Sequence, residues 1–446
     1  MQDPRRRVPR TDAVLADAGV AAAVGRLGRD RVKAVVVEVL GACRAGEVAP
    51  EAVVGEVLDR LPHAPTSMRR VVNATGVVVH TNLGRAPLSE AAVEAVTIAA
   101  GATDVELDLA TGRRGRRGTA TLDALRRAVP AAGDVHVVNN GAAALALVAR
   151  ALAPDHEVVV ARGELVEIGD GFRIPELVES VGARLREVGT TNRVHRSDYA
   201  DAIGERTAFV LKVHPSNFRV EGFTSSVPVS ELATLGPPVV ADIGSGLLAP
   251  HPRLPEEPDA DSTLRAGASL VTASGDKLLG GPQCGLLLGD ADLVHRLRRH
   301  PMARALRVDK LTLAALEATL SGPPTPVARA LDARPADLLA RARRIAVAVG
   351  SGLARAVESQ GRVGGGGAPG VPLPSAAVAL PHGLAEPLRL GEPPVVGHVH
   401  DGHLLLDLLT VPEDLDEVLV EAVRRAAEVD AAAVRRRAGG SARPAG

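Results

Sequence analysis

Residues 269–290 read SLVTASGDKLLGGPQCGLLLGD: an apolar run, a polar turn around Lys277, two glycines, and a second apolar run. Short apolar runs bounded by glycine and aspartate predict strands buried on both faces. Lys277 then falls just past the end of a strand, framed by Gly275, Gly280 and Gly281, with Leu278 and Leu279 as apolar wall. An amine that attacks a carbonyl must be partly neutral, which a secluded position with a lowered pKa provides. A lysine salt-bridged at a strand end is the plainer reading of the same stretch.

Outward from this stretch, strand-like and helical segments alternate between about 70 and 300: DVHVVNN leads into GAAALALVARALA, and HEVVVARG, RLREVG, TAFVLKVH and PPVVADIG follow. The alternation predicts an α/β fold with a mostly parallel sheet covered on both faces, where ligands gather at the carboxyl ends of strands. VVADIGSG sets Asp242 at such an end, suited to hold a pyridine nitrogen protonated. A helix cap or a metal ligand is the other use of such a residue; no His/Cys/Asp cluster at metal-ligand spacing accompanies it, so no metal is expected. VVNNGAAALALVA passes from strand through Asn139, Asn140 and Gly141 into a helix whose N-terminus offers N–H groups and a positive dipole end to a phosphate. Plain N-capping by Asn140 is compatible with that use. Cradle, aspartate and lysine in this order make the large-domain layout of fold-type-I enzymes that carry pyridoxal 5′-phosphate (PLP).

Around this large domain, placed at 63–310, two smaller ones are expected. Residues 1–62 carry helical periodicity punctuated by glycines and end at Pro62 and Pro65. Their first 33 residues hold eight basic residues, among them Arg5 and Arg6, against four aspartates. Residues 311–434 read as a small α+β domain, with a loop at RVGGGGAPGVPLPS, a hairpin turning at Asp401-Gly402 and a closing helix. Residues 435–446 read as a disordered tail.

Composition limits the partners. The net charge is −1, so nucleic-acid contact must come from a local patch. Two cysteines, Cys43 and Cys284, fit a reducing cytoplasm. There is no apolar run of 18 residues, and no membrane span is expected. With no Trp, one Tyr and four Phe, cores must be built from Ala, Val and Leu.

Six blocks carry a more specific likeness: RRVVNATGVVVHTNLGRAPLS (69–89), ARGELVEIGDGFRIPE (161–176), EVGTTNR (187–193), LKVHPSNFRVEGFT (211–224), SGDKLLGGPQ (274–283) and RALRVDKLTLAALEATL (304–320). In this order they resemble bacterial selenocysteine synthases, the L-seryl-tRNA(Sec) selenium transferases. The resemblance implies that Lys277 binds PLP and that serine esterified to tRNA(Sec) loses its hydroxyl to give an aminoacrylate. Selenium from selenophosphate then adds at the β-carbon, giving selenocysteinyl-tRNA(Sec). It implies that Arg85, Arg304 and Arg307 clamp selenophosphate, the last two on one helix face by their i, i+3 spacing. Asp276 is a candidate for proton transfer or for holding the cofactor site. Arg113, Arg114, Arg116 and Arg117, on the glycine-rich loop TGRRGRRG, are candidates for the tRNA end or a neighbouring subunit. The basic N-terminal helices are expected on the tRNA body, and a dimer-based homo-oligomer, a decamer in the family, is implied. Gly141 stands where three asparagines would complete the cradle. No residue is evident for stacking on the PLP ring, His80 and His214 being candidates for substrate or cofactor contact.

Two rival functions share parts of this pattern. A PLP-dependent lyase or aminotransferase for a small free amino acid or amino sugar would need no helical N-terminal domain. A catalytically idle tRNA-binding protein would not need Lys277, Asp242 and the three arginines.

Overall fold

A computed structural model describes residues 7–62, 64–169, 171–216, 218–350 and 352–440. The chain divides into two compact units, Met1–Val71 and Val72–Gly446. Among the described residues the first holds four α-helices, α1 (Thr11–Leu15), α2 (Ala18–Leu27), α3 (Arg29–Ala45) and α4 (Val53–Arg60). Valines at helical spacing, Val32, Val36 and Val39 with Val53 and Val57, form its core. The Asp17 carboxylate caps α2, accepting from Gly19 N at 2.9 Å. This unit extends nine residues past the expected boundary at 62. Arg5 and Arg6 lie outside the described residues.

The second unit is built on a seven-stranded sheet. Its strands are β1 (Asp134–Val138), β2 (Glu157–Ala161), β3 (Arg184–Val188), β4 (Thr207–Val213), β5 (Val239–Gly244), β6 (Leu270–Ser274) and β7 (Gly285–Gly289). Their order is β1-β7-β6-β5-β4-β2-β3. Only β7 runs antiparallel to its neighbours, β6 and β1. The sheet is apolar on both faces: Phe209, Leu211, Val240 and Leu287 face one helical layer, and Val137, Ile243, Val271 and Leu288 the other. The first layer includes α7 (Gly141–Leu152), preceded in the chain by α5 (Glu90–Ala100) and α6 (Thr119–Ala128), and α7 buries Ala143, Ala144, Ala146, Ala149 and Ala151. Alanine side chains let this helix lie close to the strands, which is how a chain so poor in aromatics reaches interior packing density.

Register aligns the ends of these strands. Val213 pairs with Asp242, Asp242 with Thr272, Ser274 with Gly285, and Gly285 with Val138. Asp242, the strand leading to Lys277 and the strand leading to Asn139 therefore finish at one level.

Residues beyond the sheet are distributed differently from the expected 63–310 and 311–434. The helix Lys310–Ser321 packs on Glu90–Ala100 and Thr119–Ala128, so it belongs to the large layer. Conversely, the short strand Val77–Val79 pairs in parallel with β8 (Arg355–Gly364), completing the C-terminal sheet with β9 (Pro372–Pro381), β10 (His398–His400) and β11 (His403–Asp407). The hairpin turns at Asp401-Gly402 as its sequence implies, with φ of 48° and 74° and His400 opposite His403. The last helix, Asp416–Gly440, continues past residue 435, because the Ala- and Arg-rich end favours helix; residues 441–446 lie outside the described residues. Among the described residues no helix is long and apolar enough to cross a membrane.

The core makes a simple prediction. Phe209 is fully buried, and Phe209→Ala is expected to cost about 3–5 kcal/mol, read from the urea midpoint by circular dichroism. Val347, 79 % exposed, should change stability by less than about 0.5 kcal/mol on truncation to alanine.

Candidate active site

Lys277 sits in a turn that follows β6 directly and is fastened at several points. Gly275 N donates to Cys284 O at 2.8 Å, Leu278 N to Ser245 O at 2.8 Å, and Gly281 N to Gly275 O at 2.9 Å. The glycines flanking the lysine are therefore held in place. They are packing positions: a Cβ on Gly275 would strike Cys284, and one on Gly280 would strike Thr325. The glycine that faces the amine comes from far along the chain. Gly366 follows β8 with φ of 90°, and a Cβ built on it would stand 2.7 Å from Lys277 Nζ. Of the run Gly364–Gly367, which reads as a plain loop, Gly366 lies over the lysine and Gly367 against Leu278 and Ser245.

Burial pushes the Lys277 amine below the usual lysine value, Asp242 pulls it back up, and Arg85 pushes it down. Lys212, by contrast, is neutralised in an ion pair with Glu164. Asp242 is enclosed; burial raises its pKa, opposed by the Thr272 hydroxyl, which donates to its Oδ1 at 2.8 Å, and by Lys277. The charge of Asp242 is thus favoured first by Thr272 and then by Lys277, and that of Lys277 chiefly by Asp242.

The expected phosphate cradle is present in part. Asn140 caps α7, its side chain accepting from Ala143 N at 2.8 Å. Asn139 turns away: its backbone N donates to Leu306 O at 3.0 Å, and its amide nitrogen, in the orientation that satisfies the hydrogen bonds, donates to the carbonyls of Leu306 and Arg307. Gly141 opens the helix against the end of β6, and a Cβ there would lie 2.7 Å from Ser274 Oγ. Glycine at this position accordingly brings the positive end of a twelve-residue helix up to the strand that carries Lys277.

Arg85, Arg304 and Arg307 are not gathered at one point. Arg85 has a left-handed backbone, φ 67°, and its guanidinium donates to Asp276 Oδ2 at 2.6 Å. Asp276 is buried, and its Oδ1 has no partner. Arg304 and Arg307 line a separate cavity of about 460 Å³ with Arg114, Arg116, Arg117 and His136. Nor do they share a helix face, because the helix Pro301–Ala305 ends before Arg307. Glu106 stands among these cations, 2.9 Å from Arg114, 3.5 Å from Arg117 and 3.6 Å from Arg307, and these contacts hold its carboxyl below the usual range. The basic loop itself is a hairpin, Leu107–Asp108 against Arg113–Arg114. Arg113 is exposed on it.

Glu106, Gly366, Ser245 and Glu257 escape a reading of the sequence. Four consecutive glycines after a strand were the available signal for Gly366; the carboxylates carried none. His214 follows β4, its backbone N donating to Asp242 O at 2.9 Å, and burial lowers its imidazole to about 4. His80 bridges to Arg85 through backbone hydrogen bonds, and its Nδ1 is buried without a partner.

The assembly fits a planar, phosphate-bearing aldehyde: a partly shielded amine, a buried carboxylate beyond it, a helix N-terminus to one side and unpaired polar atoms around it. The comparisons agree with this geometry. The family described as L-seryl-tRNA selenium transferase matches residues 71–412, and the one described as selenocysteine synthase N terminal matches residues 5–44. The chain belongs to the L-seryl-tRNA selenium transferase family. The L-seryl-tRNA(Sec) selenium transferase of Solidesulfovibrio magneticus is 41% identical, covering 97% of this chain and all of that one. That of Geobacter metallireducens is 43% identical over 92% of this chain and 96% of its own. Among solved structures, D-glucosaminate-6-phosphate ammonia-lyase superposes with a TM-score of 0.57 at 20% identity, covering 82% of this chain and 97% of that one, a likeness of fold. A member of the transferase family with this architecture has the α/β, fold-type-I PLP large domain expected from the order of its motifs.

The buried histidines set a pH dependence. His136 and His214 both titrate near 4 in the folded chain, against about 6.5 unfolded. Between these values the unfolded chain binds protons that the folded one refuses, so stability falls as pH drops through that window. The urea midpoint should therefore drop between pH 7 and pH 5, and the drop should be smaller in His214→Asn than in the parent.

Proposed function

We propose that the chain converts seryl-tRNA(Sec) to selenocysteinyl-tRNA(Sec), using PLP held at Lys277 and selenophosphate as the selenium donor. The observation that carries this reading is the convergence of Lys277, Asp242 and the N-terminus of α7 at one level along the sheet, in a chain of this family. Lys277 would hold the cofactor's aldehyde carbon, Asp242 its ring nitrogen, and the first turn of α7 its phosphate, with Gly141 and Ser274 alongside. When bound, PLP supplies an electron sink for the charge left at the seryl Cα on proton loss.

The chain's own groups do the rest. The Lys277 amine, with its lowered pKa, takes the Cα proton, and Asp276 keeps Arg85 directed at the site. Gly364–Gly367 and Leu278 exclude water from the amine. Arg85, Arg304 and Arg307 supply guanidinium groups for the phosphate of the donor. In one copy Arg85 stands apart from the other two, which supports a homo-oligomeric assembly, dimer-based, whose subunits bring these residues together. Arg113, Arg114, Arg116 and Arg117 are assigned to the tRNA acceptor end or the neighbouring subunit. The helices of the first unit are assigned to the tRNA body, where phosphate contacts make affinity salt-dependent.

The decisive assay incubates the protein with PLP, seryl-tRNA(Sec) and selenophosphate, then identifies the amino acid released from the tRNA. Selenocysteine is expected, and Lys277→Ala should lower its rate by about 10²–10⁴-fold or more. Arg307→Ala should raise the KM for selenophosphate about tenfold while the cofactor's visible band stays unchanged, as loss of a charge-assisted contact predicts. Serine recovered unchanged from the parent protein would overturn the reading.

A further inference from the structure

We propose that Glu257 is a positioning residue of the lysine site: one of its oxygens holds the glycine-rich loop over Lys277, and the other turns His214 toward the cofactor. The inference rests on the cofactor reading given above.

Glu257 lies outside the regular elements, and its side chain is only 1% exposed. A carboxylate so enclosed needs fixed partners, since leaving its oxygens unpaired in the interior is costly. Its Oε2 accepts from Ala368 N at 2.6 Å. Ala368 ends the run that covers the lysine, and its φ of 44° is a left-handed conformation that residues with a side chain rarely adopt. Backbone held in such a region persists where its surroundings enforce it, and here the enforcing contact is the carboxylate. Two residues before Ala368, Gly366 approaches Lys277 Nζ; one residue before it, Gly367 touches Leu278 and the Ser245 side chain. Holding Ala368 therefore holds the cover.

The second oxygen points elsewhere. Glu257 Oε1 is 3.9 Å from His214 Nδ1, and both atoms are buried without a hydrogen-bond partner. The Ser245 hydroxyl lies beside the same carboxylate and favours its charged form. Two unsatisfied polar atoms facing each other call for completion. A small rotation of the imidazole brings Nδ1–H onto Oε1, which fixes the tautomer and leaves Nε2 as an acceptor. His214 is anchored by its backbone to Asp242, and the Glu257 charge acts on the Lys277 amine, so both partners belong to the same site. Glu257 itself touches no reacting atom; it acts through the loop and the histidine.

The test measures PLP binding to the full-length protein, by equilibrium dialysis and by the wavelength and induced ellipticity of the visible band, for the parent, Glu257→Gln, His214→Asn and the double variant. Thermal melting checks folding, and Glu257→Asp, which withdraws the carboxylate from both partners, replaces Glu257→Gln should that variant not fold. Each single variant should weaken PLP binding about tenfold, the size expected for loss of a hydrogen bond to a charged group. Each should also alter the band in the same sense, and the double variant should be no worse than the weaker single one. Unchanged affinity and band in Glu257→Gln, or effects that simply add, would overturn the proposal while leaving the cofactor at Lys277. Absence of a visible band in the parent protein would instead sink the cofactor reading, and this inference with it.

Discussion

A carboxylate shut away from water at the end of a strand imposes conditions on everything near it. Asp242 has the Thr272 hydroxyl and the field of Lys277 to favour its charged form, and burial works against it. An ion so placed without a partner would cost several kcal/mol. Lys277 faces the converse problem, losing basicity through burial and regaining it from Asp242. Neither group resolves the other's position completely, because the field is not a direct ion pair. A protonated ring nitrogen beside Asp242 and a carbonyl carbon for Lys277 would satisfy both at once, which is the physical content of the cofactor assignment.

Most of the surrounding architecture maintains that spacing. The antiparallel strand β7 is wedged between β6 and β1, so the strand carrying Lys277 and the strand leading to α7 finish on either side of Gly285. A side chain on Gly285 would collide with Asn140 O, so the cap of α7 depends on a glycine of the neighbouring strand, β7. Asn139 then fastens Leu306 and Arg307, linking the arginine-lined cavity to the helix start. From the opposite side the C-terminal sheet delivers Gly366 over the amine. The large layer and the small one thus both reach Lys277.

The chain's sequence disclosed the parts that depend on local pattern. Alternating strands and helices gave the sheet, the polar residues after strands gave Lys277, Asp242 and Asn140, and the Asp401-Gly402 turn marked its hairpin. Parts that depend on distant approach were silent. Gly366 lies 89 positions from Lys277 in the numbering, and nothing in a glycine run says which side chain it will face. Glu106 and Glu257 are single acids in ordinary surroundings until the fold sets three arginines around one and a strained amide against the other. The i, i+3 spacing of Arg304 and Arg307 misled, because the helix stops at Ala305. Helical spacing constrains side chains only while the helix lasts. Val77–Val79 misled in another way, joining a sheet whose other strands begin at residue 355, a pairing no local window contains.

The central claim is that Lys277, of the four lysines in the chain, is the one that holds the cofactor covalently. Borohydride reduction of the protein incubated with PLP, followed by tryptic digestion and mass mapping, reads this directly. The reduced pyridoxyl group is expected on the peptide bearing Lys277, with Lys33, Lys212 and Lys310 unmodified. A label on Lys212 with Lys277 bare, or no stable label at all, would contradict it.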